Sequence, residues 1–510
     1  MGKHFARVRD GKVFCARLRQ HQRQWEKRAG ASRGAKRHVK SLRRAAIRIY
    51  KKFSGASDLP LPEEPRYPGP RGEEARAEDV KLVFLSETTG LSNHGRNWLG
   101  HAQKELKKLI GGTAARQSGF NLDIVAGANA NHRNSMRIER RDGYVWTSGI
   151  YLDQFSAVIM PKLAADHVQR LIARGAVVMD NALVGFDARQ PVLINAPEFP
   201  PLFHRQISLD RAHRKGLTGK GASIGVADSG IEPDHPDFRG RIASYMEFNF
   251  NGVPVSNAKP RDHHAYGHGT HVAGICAGAR TGVAPGATLH IAAVLTRDGK
   301  NGLATGYLAQ VLSGIEALSN LNLDIINISM VLQLNRPHHF EKLAKLLRRD
   351  QPTQLIIAAI GNEAVEHVEK NGYPARFSPV VAVGAVDDGD CRAAFSAWGQ
   401  ATVFAPDRAH FKPDLMAPGI QVLSCLPQGG YGLWTGTSMS APQVAGAAAL
   451  LIEADPTLRN DVGRLRNRLL ELTVPLGQCD QNIAERIGRG RLDLARIDRA
   501  DGASALRLDV

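Results

Sequence analysis

Four side chains in this sequence have the types that acyl transfer uses, and each stands in a glycine-rich junction. Asp228 closes the apolar run of "SIGVADSGIEPDHPDF", and His268 opens "HGTHVAGICAG". Asn362 follows "LIIAAIG", and Ser438 opens "GTSMSAPQVAGAAAL". A serine hydroxyl is a weak nucleophile at neutral pH and needs a neighbouring base. Histidine, which titrates near neutrality, suits that task. A carboxylate fixes the imidazole in one tautomer and stabilises its charged form. An amide donor meets the negative charge that develops on the attacked carbonyl oxygen. Taken singly, a strand-end aspartate is more often a turn or cap residue, and a lone asparagine is more often structural. Four such groups together form a far more specific signal.

The blocks "ADSGIEPDHPDF", "HGTHVAGICAG" and "GTSMSAPQVAG" resemble the signature blocks of the subtilisin family of serine proteases. The order Asp, His, Ser also matches that family, whereas chymotrypsin-like enzymes and α/β-hydrolases use other orders. The similarity extends over about residues 200–497, taking in "DRAHRKGLTGKGASIGV" and "GRGRLDLARI". The resemblance implies that Asp228, His268 and Ser438 are catalytic. It implies that Asn362 and the Ser438 backbone N–H form the oxyanion hole. His271 is expected to be a packed neighbour, and Thr437 and Ser440 to be turn and capping hydroxyls. Pro442 is expected in the first turn of the helix after Ser438.

Substrate-pocket walls follow from the same resemblance. Ser329, Met330 and Val331 form one side, and Ala358, Ala359, Ile360 and Gly361 the other. Val331 stands where the family usually has glycine, so a narrowed pocket is expected. Glu363 at the rim is expected to favour a basic or polar side chain. Secreted members hold a structural calcium in a loop within the helix after the catalytic histidine. Here "HVAGICAGARTGVAPGA" runs straight through. Asp237 is left as one carboxylate for a cation that takes six to eight oxygens, so no tightly bound calcium is expected there.

The elements that must position these groups read as α/β. Short apolar runs such as "TLHIAAVL", "LDIINISM", "LIIAAIGN" and "VVAVGAV" alternate with helical stretches. Strands buried on both faces and spaced by helices predict a mainly parallel sheet. The expected architecture is a subtilisin-like three-layer fold with that sheet between helices. A small α+β region and a basic, partly helical N-terminal arm precede it. The predicted boundaries are 1–53 for the arm, 54–79 for a Pro/Gly-rich linker and 80–192 for the α+β region. A second linker at 193–203, a peptidase-like domain at 204–497 and a tail at 498–510 follow. From about residue 121, the strand–helix–strand pattern resembles a subtilisin propeptide, with "AVVMDNALVGF" as its closing strand. "NWLGHAQKELKKLI" (97–110) predicts an amphipathic helix.

The formal net charge of +18 is concentrated at one end. Residues 1–60 hold 18 Lys and Arg against only Asp10, Glu26 and Asp58. Such an arm suits nucleic acid, anionic lipid or an acidic partner. No run of about 18 apolar residues predicts a membrane span. No apolar stretch follows the basic N-terminus, so no secretory signal is read and a cytoplasmic location is expected, with secretion as the alternative. The five cysteines are widely spaced, which predicts reduced thiols and neither a disulfide framework nor a zinc cluster.

The function expected is serine endopeptidase, made as a self-restrained or self-processed precursor and cut near 193–203. Its partners are protein or peptide substrates, with the N-terminal region as intramolecular inhibitor or docking arm, and no cofactor or metal is expected. One alternative is a catalytically silent scaffold whose arm binds nucleic acid or an acidic partner. Another is a metallohydrolase on Asp262, His263, His264, His268 and His271, although no H-E-x-x-H is present.

Overall fold

The computed structural model describes residues 73–74, 80–84, 120–126, 137–141, 144–152 and 157–185 apart from 162, 164 and 174. It further describes 190–298, 303–332, 354–363, 372–401, 410–479 and 483–497. The basic arm, the first linker apart from the strand Glu73–Glu74, the 97–110 helix and the C-terminal tail lie outside these residues.

The region before residue 190 is built on a seven-stranded sheet. Its strand Lys81–Phe84 lies between Ala157–Met160 and Val177–Asp180, antiparallel to both. A strand well before residue 121 therefore sits inside the same sheet as the later strand–helix–strand pattern. The helix Ala165–Ala173 falls where the pattern placed it. The expected closing strand is two strands. Val177–Asp180 stays in this sheet, whereas β1 (Leu183–Gly185) leaves it and pairs with a strand of the following domain. β2 (Val192–Leu193) pairs with another.

The domain that follows is a nine-stranded sheet. Its elements in chain order begin with β3 (Ser223–Asp228), β4 (Ile242–Glu247), helix α1 (His268–Ala277) and β5 (Thr288–Ala293). β6 (Ala304–Tyr307), which pairs with β1 outside the large sheet, leads into helix α2 (Leu308–Ser319). β7 (Ile325–Ile328), β8 (Leu355–Ala359), β9 (Val381–Val386) and β10 (Leu415–Pro418) continue the sheet. The hairpin of β11 (Val422–Leu426) and β12 (Gly430–Trp434) leads to helix α3 (Thr437–Ala454). β13 (Thr473–Val474) and β14 (Arg491–Leu492) close the edge. The spatial order is β4-β5-β3-β7-β8-β9-β10-β14-β13, parallel throughout except for the last pair.

Two apolar cores flank the sheet. One unites Ile224, Val226, Ile325 and Ile357 with the apolar faces of α1 and α3. The other unites Ala227, Ile326 and Ala358 with α2 and with Leu82, Phe84 and Ile159 of the N-terminal sheet. Strands covered on both faces are apolar at nearly every position, and "IINI" and "VAVGAV" are buried throughout; the one polar side chain, Asn327, donates to Ser329 Oγ at 3.0 Å.

The expectation of reduced thiols is corrected for one pair. Cys391 and Cys479 are disulfide-bonded, with Cα atoms 5.8 Å apart. They stand 88 residues apart, so no local spacing could reveal the bond. Cys276 and Cys425 are free and buried.

Candidate active site

Asp228 ends β3, one residue before a turn that only glycine tolerates. Gly230 has φ +120°, and a Cβ there would come within 2.0 Å of the Arg261 carbonyl oxygen. The start of α1 packs on this turn: a Cβ on Gly269 would lie 2.2 Å from the Gly230 oxygen. This close backbone approach brings His268, the first residue of α1, onto Asp228. His268 Nδ1 lies 2.9 Å from Oδ1 and 3.2 Å from Oδ2 of Asp228, and both side chains are buried. An ionised carboxylate only accepts, so Nδ1 carries the proton and the neutral imidazole keeps a lone pair on Nε2. Nε2 is thereby set up as a base.

The Asp228 carboxylate is itself held. The Ser229 N–H donates to Oδ1 at 2.7 Å. Ser229 Oγ bridges to Asp262, lying 3.1 Å from Asp228 Oδ1 and 2.8 Å from Asp262 Oδ1, and accepts from the Gly269 N–H. Asp262 accepts further from the His264 N–H and from the N–H and hydroxyl of Thr270. Burial pushes the Asp262 pKa up despite these donors. Sequence reading found no signal for this bridge, because its members are joined only by the packing of α1 on the Gly230 turn.

Three imidazoles surround Trp434, with His264, His268 and His271 centred 5.6, 5.3 and 5.4 Å from it. Burial lowers His264 to about 4, with His268 adding to the shift, and lowers His271 to about 3. Both neighbours are therefore neutral near pH 7. His271 donates Nε2–H to the Gly432 carbonyl at 3.1 Å, and His264 Nδ1 accepts from the Tyr266 N–H. Together with the Asp228 contact to His268, these bonds commit a nitrogen of each ring. Asp262 is bound up as described, and His263 faces Glu247 at 3.1 Å. The histidine cluster is thus arranged for hydrogen bonding and not as a converging ligand set.

Ser438 is the second residue of α3, whose N-terminal dipole favours negative charge nearby. Its hydroxyl donates to the Ser329 carbonyl at 3.0 Å. Pro442 is not in the first turn as expected, but is the sixth residue of the helix. Lacking an N–H, it leaves the Ser438 carbonyl without its helical donor. The Ser329 hydroxyl fills that place at 3.0 Å and so ties the end of β7 to the first turn of α3.

Asn362 follows β8 by three residues and reaches the same point. Its Oδ1 accepts from both the N–H and the hydroxyl of Thr437, each at 2.9 Å. With the oxygen so engaged, the amide plane is fixed and Nδ2 is the donor left to a ligand. Gly436 keeps that space open, since a Cβ there would lie 3.2 Å from Nδ2. Thr437 is therefore not the capping hydroxyl expected. Ser440 also caps nothing; its hydroxyl donates to the carbonyl of Ala417 or Pro418.

The expected pocket walls are adjacent through β7 and β8, with Ile328 beside Ala358. Ser329, Ala359 and Gly361 are buried close to the α3 start, where the Gly361 N–H donates to Thr437 Oγ1. The side chains of Met330, Ala358 and Ile360 belong to the apolar core. Val331 and Glu363 are partly exposed.

Asp237 lies apart from these groups. Its carboxylate accepts from the backbone N–H and Nε of Arg280 at 2.9 and 3.1 Å and from the Tyr431 hydroxyl at 2.7 Å. The Arg280 guanidinium lies over both the Phe199 and the Tyr431 rings, 5.0 and 4.8 Å from their centroids. His235 and Cys425 lie close to Asp237. His235 donates to the Gly430 carbonyl and accepts from the Asp237 N–H. The positive charge beside Asp237 is a guanidinium supplied by the chain.

Residues 219–490 match the profile of the subtilase family. The chain is 36% identical over 281 residues to subtilisin E of Bacillus subtilis, a match covering 53% of this chain and 65% of that protein. It is 35% identical over 281 residues to subtilisin of Bacillus pumilus, covering 53% of this chain and 90% of that protein. A thermostable alkaline protease of Halalkalibacterium halodurans is 36% identical over 276 residues, with 53% and 67% covered.

Proposed function

The chain belongs to the subtilase family, and from that premise we propose that it is a serine endopeptidase acting through Asp228, His268, Ser438 and Asn362. The observation that carries the reading is the 2.9 Å contact between His268 Nδ1 and Asp228, which leaves Nε2 as the basic nitrogen. In the proposed reaction, the Ser438 hydroxyl turns from the Ser329 carbonyl and passes its proton to His268 Nε2 as Oγ attacks the peptide carbonyl. Asp228 stabilises the imidazolium. The oxyanion is met by Asn362 Nδ2 and the Ser438 N–H at the start of α3. His268 then protonates the leaving amine, and a water, activated by the same nitrogen, releases the acyl group. Hydrolysis of a peptide substrate by the purified chain, lost in both Ser438→Ala and His268→Ala, is the expected result. Activity retained in Ser438→Ala contradicts it.

A precursor held in check by its own N-terminal region is favoured by specific contacts. β5 ends beside Asp228, and the chain that leaves it forms β6, onto which β1 adds as an antiparallel strand. β2 adds to β12, the strand that leads to Ser438. The Asn181 side chain and the Ala182 carbonyl accept from the N–H groups of Ala309 and Leu308 at the start of α2. A region so placed competes with an extended substrate for the same edge. Intact mass spectrometry should find wild type divided by a cut that Ser438→Ala lacks. Recovery of both proteins uncut argues for a permanently attached domain. The Cys391–Cys479 bond favours folding in an oxidising compartment over the cytoplasm.

A further inference from the structure

We propose that Val331 closes the floor of the pocket beside Ser438 and restricts the residue on the acyl side of the cut bond to glycine, alanine or serine. This rests on the peptidase reading above and names its substrate class.

The reacting carbon is bounded by Ser438 Oγ and Asn362 Nδ2. The family resemblance places the side chain of the residue carrying it between the segment after β7 and the segment after β8. Those segments meet the start of α3 through Ser329 and Gly361. The Val331 side chain stands there, close to two glycines of different segments. A Cβ built on Gly361, the residue before Asn362, would sit 3.5 Å from Val331 Cγ2, in ordinary contact. One built on Gly372 would fall 1.9 Å from Val331 Cγ1, so the valine fills the space a side chain at 372 would use.

The wedge is also fixed in place. The Leu332 N–H donates to the Tyr373 carbonyl at 2.8 Å, and the Gly372 N–H donates to the Ile360 carbonyl at 3.3 Å. These bonds lock residues 331 and 372 in register. A β-branched side chain has little freedom about χ1, so valine does not swing aside as leucine or methionine would. It remains partly exposed, so one of its faces meets whatever enters. A floor of two methyl groups has no partner for an ammonium or guanidinium. Under this proposal size decides the choice, in place of the expected preference of Glu363 for a basic or polar side chain.

The test uses full-length protein and the p-nitroanilides of succinyl-Ala-Ala-Pro-Ala and succinyl-Ala-Ala-Pro-Phe, with Ser438→Ala as the background control. Wild type should favour alanine in kcat/KM. Val331→Gly should raise the Phe-to-Ala ratio by at least about 10-fold, within the range for added apolar groups in a closed pocket. Val331→Ala should give an intermediate ratio and guards against misfolding of the glycine variant. Wild type that prefers Phe, or ratios unchanged in both variants, overturns the inference and leaves the peptidase reading intact. No Ser438-dependent cleavage of either peptide overturns both.

Discussion

Replacing Thr437 by valine keeps the shape of residue 437 and removes one hydroxyl, and the consequences follow from its bonds. Asn362 Oδ1 loses one of its two donors and keeps the Thr437 N–H at 2.9 Å. The Gly361 N–H loses its acceptor. A neutral hydrogen bond contributes a net of about 0.5–1.5 kcal/mol. If it serves to aim Nδ2 at the oxyanion, that energy is felt in the transition state. At 1.36 kcal/mol per factor of ten, kcat should fall about 2- to 13-fold, with KM nearly unchanged. Removing the donor in Asn362→Ala should cost about 10²- to 10³-fold in kcat, a magnitude familiar from a subtilisin and not worked from this site. In that background Thr437→Val should be nearly silent in kcat, because no amide remains to orient. The four proteins, assayed for kcat and KM on one peptide p-nitroanilide, form a double-mutant cycle. Their thermal midpoints separate the stability lost at Gly361 from the catalytic effect. Equal kcat losses from Thr437→Val in both backgrounds, or an effect on KM alone, would refute the orienting role.

Three further outcomes are expected. His204 and His271 are pushed down by burial to about 4 and about 3, so the unfolded chain binds their protons first on acidification. Their contribution is fully present above pH 6.5 and should be lost by about 1.4 kcal/mol per histidine for each pH unit below it. Urea midpoints between pH 7 and 4 that do not fall would contradict this. Peptide mapping without reductant should recover Cys391 linked to Cys479, and Cys276 and Cys425 as thiols; an alkylated Cys391 in the folded protein would count against the bond. Arg280→Ala should lower the thermal midpoint, whereas a calcium chelator should leave wild type unchanged. A midpoint that drops on chelation would show that the guanidinium beside Asp237 does not replace an ion.

The four candidate groups could be singled out in the sequence because each sits in a short block whose glycines and small residues make the packing local. The pattern Gly230, Gly269 and Gly436 marks where backbones must touch, and the reactive side chains stand next to those contacts. The parallel sheet was legible because strands buried on both faces cannot alternate. What stayed hidden depends on pairs distant in sequence. Residues 81–84 look like any apolar strand, and only the fold puts them between 157–160 and 177–180. The break after Asp180, which sends β1 to β6, has no glycine or proline to announce it. Thr437 resembles a helix cap in sequence, but its partner Asn362 lies 75 positions away. Cys391 and Cys479 have spacing that carries no message at all.

The central claim is that Asp228 and His268 make the Ser438 hydroxyl the reactive one. Labelling full-length protein with a fluorophosphonate, followed by peptide mapping, tests it most directly. A single adduct on Ser438 is predicted, blocked by Ser438→Ala and strongly slowed in His268→Ala. An adduct on another residue, or labelling of Ser438 at the same rate without the imidazole, would contradict it.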